Sequence, residues 1–570
     1  MPGHRLAWLP LLLLLTYVVA PSTAKPHVLL VVVDDWGYAN VGFHRPEGSA
    51  GEWQTPKIDE LVAQGIELEQ FYVHSFCTPT RSSLQTGRLP VRVQMTLDGP
   101  CNHGNGIPAN MTGLATQLKA AGYATALVGK WDAGMRTPQH TPRGRGYGKA
   151  LSYFSHGNWM WSQAEWLGSY DPGTAPHGAM PAPDHPPPCT RDTLPGWNAN
   201  PKGCAIDLWE DDGPAYRLNG TENEELIFRE YMRDIVQTRD KTAPLFLTYT
   251  PKLVHYPLQA PVEYQARFAK IADFNPHRQM YAAMTAFLDD CIGNVTGFFK
   301  TERMWENTLM IAFSDNGGYA DADQPCSDNS EHGRFCLMGQ SGASNWPLRG
   351  SKGTWFQGGV RVNAFISGGF VPAQLRGTSN TGLISVADVY STLIGLAGAS
   401  VVDPLSDNAD PPVPPVESLD MWPFLTRQVE SSPRTHLQLY AGGLILNYNG
   451  SLFKLLTGSQ SGASWTTQVY PNQSTPGHEV RNAGLNCSTG CVFDLIEDPR
   501  ETTDLATTNR ALLAHMLSEL AARPASSVPP FKGVWERQNA SADYGRGNDP
   551  TCMETAFSKY AGFIGPYQDL

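Results

Sequence analysis

The run His27–Val33 reads HVLLVVV and ends on Asp34 and Asp35. A strand with no polar alternation has both faces buried, as in a parallel sheet covered by helices on each side. The pattern returns along the chain. Helical periodicity at 56–64, 113–121, 223–237 and 280–299 alternates with strand-like runs at 66–74, 124–129, 244–249, 308–313 and 362–366. Such alternation predicts an α/β fold with a mostly parallel sheet flanked by helices. Residues 155–215, rich in Pro, Trp and Gly, read as an insertion, and 401–416 (VVDPLSDNADPPVPPV) as a linker-like loop. Past residue 433, hairpin-like segments precede one amphipathic helix near 512–522. They predict a smaller α+β domain over 433–570, beside a catalytic unit over 25–432.

A chain of 570 residues can bury a large core, and its 15 Trp, 21 Tyr and 22 Phe with only 17% charged residues exclude a disordered or coiled-coil protein. The net charge of −12 excludes a general nucleic-acid binder, although a local pocket can still carry the opposite sign. Residues 1–24 have the form of a secretory signal peptide: His4 and Arg5, an apolar run over 6–20, then the small residues Ser22, Thr23 and Ala24. The run is shorter than the ~20 residues that cross a bilayer, so cleavage is expected and no stable membrane anchor. Seven Asn-x-Ser/Thr sequons, at Asn110, Asn219, Asn294, Asn449, Asn472, Asn486 and Asn539, and ten cysteines fit a disulfide-bonded glycoprotein of the secretory pathway, secreted or lysosomal. Cys189/Cys204, Cys326/Cys336 and Cys487/Cys491 each close a short polar loop. Cys101 and Cys552 can staple the N-terminal part to the C-terminus, and Cys291 reads as a buried thiol.

In a parallel α/β sheet, ligands bind beyond the carboxyl ends of the strands. Five strand ends here deliver charged or reactive residues: Asp34 and Asp35; Cys77 with Arg81; Lys130 and Asp132; Lys252 and His255; Asp315 and Asn316. Asp34, Asp35, Asp315 and Asn316 are hard oxygen donors, which suits Ca2+ or Mg2+ rather than Zn2+. Either pair alone is as well explained by a turn or a helix cap. Both together, each after a buried strand, point to a metal site. Lys252 reads as structural.

Cys77 opens the segment CTPTRSSLQTGR, which resembles the signature of the type I sulfatases: Cys-x-Pro-x-Arg and, four residues on, Thr-Gly, carried by Cys77, Pro79, Arg81, Thr86 and Gly87. Thr80 stands where many members have Ser. Asp34-Asp35 looks like the family's first metal pair, and Gly122-Tyr123…Gly129-Lys130-Trp131 like its G-Y…G-K-W block. His255-Tyr256-Pro257 with Pro261 resembles its H-x-P loop, and Ser314-Asp315-Asn316-Gly317-Gly318 its S-D-N-G-G. Pro347-Leu348-Arg349-Gly350-Ser351-Lys352-Gly353-Thr354 resembles its P-L-R-G-x-K-G-T, with Gly358-Gly359-Val360-Arg361 beyond. Gln357 stands where Glu is common. A late D-P-x-E is matched by Asp498, Pro499 and Glu501. The likeness covers about residues 26–505 and is closest to arylsulfatase B-like members.

This resemblance implies an alkaline-phosphatase-like core with a small C-terminal domain, and a sulfuric ester hydrolase acting on sulfate monoesters, such as those of sulfated sugars or glycosaminoglycan-type polysaccharides. It implies one Ca2+ held by Asp34, Asp35, Asp315 and Asn316, with residue 77 as a further ligand. Cys77 is expected to be oxidised to formylglycine by the formylglycine-generating enzyme. The aldehyde hydrate then supplies one hydroxyl to attack sulfur and a second whose proton is lost as sulfate is expelled. A plain Ser or Cys lacks the second hydroxyl and stalls as a covalent ester. By the same resemblance Arg81 steadies the hydrate, Lys130 and Lys352 bind sulfate oxygens, and His255 faces the leaving oxygen with Lys352 as a proton donor.

One residue departs from the family pattern. Asp132 stands where G-K-W is usually followed by His, the expected base for regenerating the aldehyde. Asp132 is either a substitute base, or the role passes to His140 or His156. Two other readings stay open: a phosphate or phosphonate monoester hydrolase of the same superfamily, and an inactive glycan-binding relative, which only Asp132 favours.

Overall fold

The structure is a computed structural model that describes residues 25–45, 55–93, 101, 106–161, 163–166, 204–272, 276–320, 342–405, 413–466, 484–523 and 550–568. The signal peptide, Cys189, Cys326 and Cys336 lie outside these residues.

Five parallel strands form the centre of a ten-stranded sheet, in the order Thr308–Ser314, His27–Val33, Leu245–Thr250, Ala124–Lys130 and Lys149–Tyr153. His27–Val33 sits in the middle, which explains its unbroken apolar composition. Its alternate residues feed two separate cores. Leu29, Val31 and Val33 meet residues of the helices Pro56–Ala63, Glu224–Thr238 and Pro276–Thr301. Val28, Leu30 and Val32 meet Leu84, Leu114, Leu118 and Leu393 from the helices Cys77–Thr86, Leu114–Ala120 and Asp388–Leu396. The sheet is therefore covered on both faces, and its loops are left to carry chemistry.

The sequence expectation differs from the structure in two places. The strand expected over 66–74 breaks at residues 69–70: Ile66–Leu68 joins the large sheet, while Phe71–Tyr72 pairs with Ile384–Ser385. The strand near 362–366 is Ala364–Ser367, and it runs antiparallel to both neighbours. The strand re-enters the sheet from the end at which Thr308–Ser314 left it, which makes the pair antiparallel. The parallel strand Lys149–Tyr153 was not legible in the sequence.

A four-stranded antiparallel sheet, His436–Tyr440, Gly443–Tyr448, Ser451–Gln460 and Leu485–Asp494, forms the smaller unit. One face packs on the helix Arg510–Ala521 through Leu512 and Met516. The other packs on Phe356 and Val360, in the loop that follows Lys352. Two of the expected disulfides fall within the described residues and are formed, Cys101–Cys552 and Cys487–Cys491, while Cys77 and Cys291 are free and buried. The end of the chain returns to the larger unit, where Phe563 joins the same core as Ile206.

Lys454, in the small sheet, donates to Glu501 Oε1 at 2.8 Å, and Glu501 Oε2 accepts the Gln357 amide at 2.7 Å. Both charged side chains are fully buried. Glu501→Gln leaves the Lys454 ammonium uncompensated and is expected to cost about 3–5 kcal/mol in urea unfolding. Adding Lys454→Met should recover part of that loss.

Candidate active site

Four of the five central strands end at one cluster of side chains. Asp34 and Asp35 follow the middle strand, Asp315 and Asn316 follow Thr308–Ser314, Lys130 closes Ala124–Lys130, and His255 follows Leu245–Thr250. Cys77 arrives differently, as the first residue of the helix Cys77–Thr86, whose N-terminus carries a partial positive charge. Gly87 ends that helix in the left-handed region, φ 66°, which accounts for the Gly of Thr-Gly. The Thr80 hydroxyl accepts the His74 amide at 3.0 Å, a contact that Ser can make equally.

Side-chain cations and carboxylates interlock here below the surface. Lys130 Nζ donates to both Asp34 oxygens at 3.1 and 2.9 Å. Lys352 Nζ reaches Asp35 Oδ1 at 2.6 Å and Cys77 Sγ at 3.4 Å. Arg81 donates through Nε and Nη2 to Asp315 Oδ2 at 3.0 and 2.7 Å, and through Nη1 to the Lys130 carbonyl. His255 Nε2 lies 3.6 Å from Asp35 Oδ2. The expected residues are thus brought together, and Lys252, read as structural, turns its ammonium to the Pro257 carbonyl at 2.5 Å.

The oxygens of Asp34, Asp35, Asp315 and Asn316 suit a hard divalent cation, but the side chains whose ligand atoms cluster most tightly include a sulfur and an imidazole and leave out Asp315. Asp34, Asp35, Cys77 and His255 offer ligand atoms all within 4.8 Å of one another. Asn316 Nδ2 donates to Asp35 Oδ1 at 2.7 Å, while its Oδ1 is buried with no hydrogen-bond partner among the described residues. A buried acceptor of this kind costs stability unless something satisfies it. Burial pushes the Asp34 carboxyl well above its usual range, with Lys130 pulling against it and Asp315 pushing with it. A bound cation reverses that upward push. Burial would also raise Asp315, but Arg81, Lys130 and Lys352 hold it below the usual range. Asp35, at φ 56°, adopts a left-handed conformation that is uncommon outside glycine and recurs at functional sites. Gly317 lies so close to the Gly358 carbonyl that a methyl group would collide with it.

Cys77 is poorly placed to act as a thiolate. It is 0% exposed, and burial together with Asp315 pushes its thiol well above the ordinary value, with Lys130 and Lys352 opposing. Burial, Lys352 and Lys130 keep His255 well below the usual histidine value, so its ring is neutral.

Asp132 follows Lys130 at φ 45° and is fully buried. Its Oδ1 accepts the Thr78 hydroxyl at 2.8 Å, and its Oδ2 lies 3.2 Å from His156 Nδ1 and 3.5 Å from Lys130 Nζ. Burial alone would raise this carboxyl, but His156 and Lys130 hold it below the usual range. His156 follows Lys149–Tyr153, the central strand that the sequence did not reveal, rather than lying in a remote insertion. His140 is buried elsewhere, with Nδ1 2.7 Å from the Thr137 hydroxyl. A cavity of about 340 Å3 opens over the cluster, lined among others by Asp35, His156, His255 and Lys352 and by the aromatic Phe76, Tyr256 and Tyr319.

In protein that keeps cysteine at position 77, native Cys77 should react with iodoacetamide more than about tenfold slower than the unfolded chain at pH 8. Each pH unit by which the pKa rises removes about nine-tenths of the thiolate. Equal rates would contradict the burial described.

Residues 26–399 match the family model Sulfatase. Mouse (Mus musculus) arylsulfatase J is 29% identical over 526 residues, covering 89% of this chain and 77% of the relative. Pig (Sus scrofa) N-acetylgalactosamine-6-sulfatase is 26% identical over 512 residues, covering 86% and 83%. The solved structure of Ps i-CgsB in complex with k-i-k-neocarrahexaose shares the fold, with a TM-score of 0.63 at 24% identity over 92% of this chain and 99% of that one. The chain belongs to the sulfatase family and is a sulfatase, with the large, mostly parallel sheet and the separate small antiparallel sheet described above.

Proposed function

We propose that this sulfatase cleaves sulfate monoesters of sulfated carbohydrates, using formylglycine made from Cys77 beside one Ca2+. The observation that carries the reading is the setting of Cys77. It is a buried, free cysteine between Asp34 and Lys352, in the signature segment, with a thiol unsuited to attack. The aldehyde, as its hydrate, supplies a paired-hydroxyl nucleophile, and Ca2+ supplies charge stabilisation where the sulfuryl oxygens gather.

The chain's own residues do the rest. Asp34, Asp35, Asp315 and Asn316 hold the cation, with residue 77 next to them. Once the carboxylates are so engaged, Lys130 and Lys352 turn their charge to the sulfuryl oxygens as compact cations. Arg81, braced on Asp315, steadies residue 77. Lys352 stays charged because Asp35, with Asp34 and Asp315 behind it, outweighs the effect of burial, and it gives a proton to the leaving oxygen. Neutral His255 faces that oxygen. Phe76, Tyr256 and Tyr319 offer aromatic surface to a sugar ring, in keeping with relatives named for a sulfated sugar and a neighbour bound to an oligosaccharide. The charge of Asp132 does not repel the substrate, because the Lys130 ammonium 3.5 Å away compensates it.

Maturation by the formylglycine-generating enzyme and travel through the secretory pathway, to the lysosome or the cell exterior, complete the proposal. Among the described residues no helix is long and apolar enough to cross a membrane.

Peptide mass spectrometry across residues 77–81 should show the aldehyde in active protein from a secretory host; an unmodified thiol there overturns the nucleophile. Ca2+ at 100 times its Kd should stabilise the fold by about 2.7 kcal/mol over protein in EDTA. Asn316→Ala should shrink that gain, and an equal gain in the variant removes Asn316 from the site. Paired aryl sulfate and aryl phosphate assays should favour the sulfate. Faster phosphate release supports a phosphate or phosphonate hydrolase, and no turnover of either by aldehyde-bearing protein supports a glycan-binding role.

A further inference from the structure

The departure at position 132 leaves the family's usual imidazole unaccounted for, and the structure places another close by. His156 enters from the neighbouring strand. Its Nδ1 lies 3.2 Å from Asp132 Oδ2, while Asp132 Oδ1 accepts the hydroxyl of Thr78, the residue after Cys77. Asp132 thus ties the position beside residue 77 to the imidazole. Among the described residues Nε2 of His156 has no hydrogen-bond partner, and the side chain is 23% exposed and lines the cavity with His255 and Lys352.

The segment bearing His156 is held on three sides. Asp207 accepts the Phe154 and Ser155 amides at 2.8 Å each, so the backbone just before His156 is pinned. Asn158 donates to the Asp207 carbonyl at 2.6 Å. Gly157 lies against the His255 loop, where a methyl group would come within 2.8 Å of His255 Nδ1 and of the Tyr256 carbonyl. Only glycine allows that approach, and it brings the two histidine segments together. His140, the other imidazole considered, is buried against Thr137 and does not line the cavity.

We propose that His156 is the general base that regenerates the aldehyde, with Asp132 as its positioning residue. This rests on the formylglycine reading above. Asp132 accepts Nδ1–H, which fixes the tautomer and leaves Nε2 as the proton acceptor. After the alcohol has left, residue 77 carries one free hydroxyl and one sulfate ester on the same carbon. Nε2 takes the hydroxyl proton, the O–H electron pair becomes the second bond of C=O, and the C–O bond to sulfate breaks. Sulfate departs with that electron pair. The imidazolium then returns its proton to solvent, and water re-forms the hydrate. A carboxylate–imidazole pair thereby does the work of the single histidine that the sequence lacks.

The proposal separates two steps of the cycle. His156→Gln, made with the formylglycine-generating enzyme, should release about one equivalent of alcohol per site in a burst and then stall. Steady-state turnover should fall by about 10²- to 10⁴-fold, the usual worth of a general base. The stalled protein should give a residue-77 peptide heavier by one SO3. Asp132→Asn should lower steady-state turnover at least about tenfold, with the burst rate kept within severalfold. Steady-state turnover by His156→Gln within about threefold of the parent, or equal loss of burst and steady state without the heavier peptide, overturns the assignment. If the parent shows no aldehyde, the formylglycine reading fails instead.

A second measurement needs neither aldehyde nor calcium. In protein that keeps Cys77, 15N NMR of labelled histidine should show His156 as the Nδ1–H tautomer, identified by its loss in His156→Gln, and Asp132→Asn should change that tautomer. An Nε2–H tautomer, or no response to Asp132→Asn, overturns the pair whether or not the variants turn over substrate.

Discussion

Buried charge at the carboxyl ends of the central parallel strands governs this structure. Asp34, Asp35 and Asp315 face Lys130, Lys352 and Arg81 with side chains no more than 8% exposed. In such surroundings an unmatched charge costs several kcal/mol, so each group holds its neighbours in place. The same low dielectric that makes the cluster costly also strengthens every interaction it offers a substrate. The Asn316 oxygen, without a hydrogen-bond partner among the described residues, and the upward push on Asp34 are the two features that the proposed cation would relieve.

The surrounding architecture keeps this cluster rigid. Two cores clamp the sheet, so the strand ends cannot drift apart. The small antiparallel sheet braces the loop carrying Lys352 through the Lys454–Glu501 pair and the Phe356 contact. A domain remote in sequence therefore supports a cation at the centre. The D-P-x-E segment has a physical reason here, since its Glu501 side chain bonds both the small sheet and the Gln357 amide.

Asp132 shows how one substitution can be absorbed. A histidine replaced by a carboxylate would ordinarily bring unwanted negative charge beside an anionic ester. In this chain the carboxylate is paired on one oxygen with a lysine and an imidazole and capped on the other by a hydroxyl. The site keeps an imidazole, supplied by a neighbouring strand.

Much of the site was legible in the chain because its residues come in short local groups. Asp34-Asp35, Asp315-Asn316 and the Cys77–Arg81 segment each follow a recognisable strand or open a helix, and their chemistry is set by composition. The breaks in expectation came where long-range pairing decides. Lys149–Tyr153 is a short strand with little periodicity of its own, and it is specified by its neighbour Ala124–Lys130. His156 was consequently placed in an insertion. The direction of Ala364–Ser367 was equally hidden, since strand direction depends on where the chain re-enters the sheet. The amino-acid sequence by itself determined the α/β alternation, the paired oxygen donors and the cysteine signature of the family, because these depend on residue type and local spacing. Only the tertiary structure decided which histidine meets Asp132 and which cation meets which carboxylate, because those contacts join residues far apart in the chain through packing that no local pattern encodes.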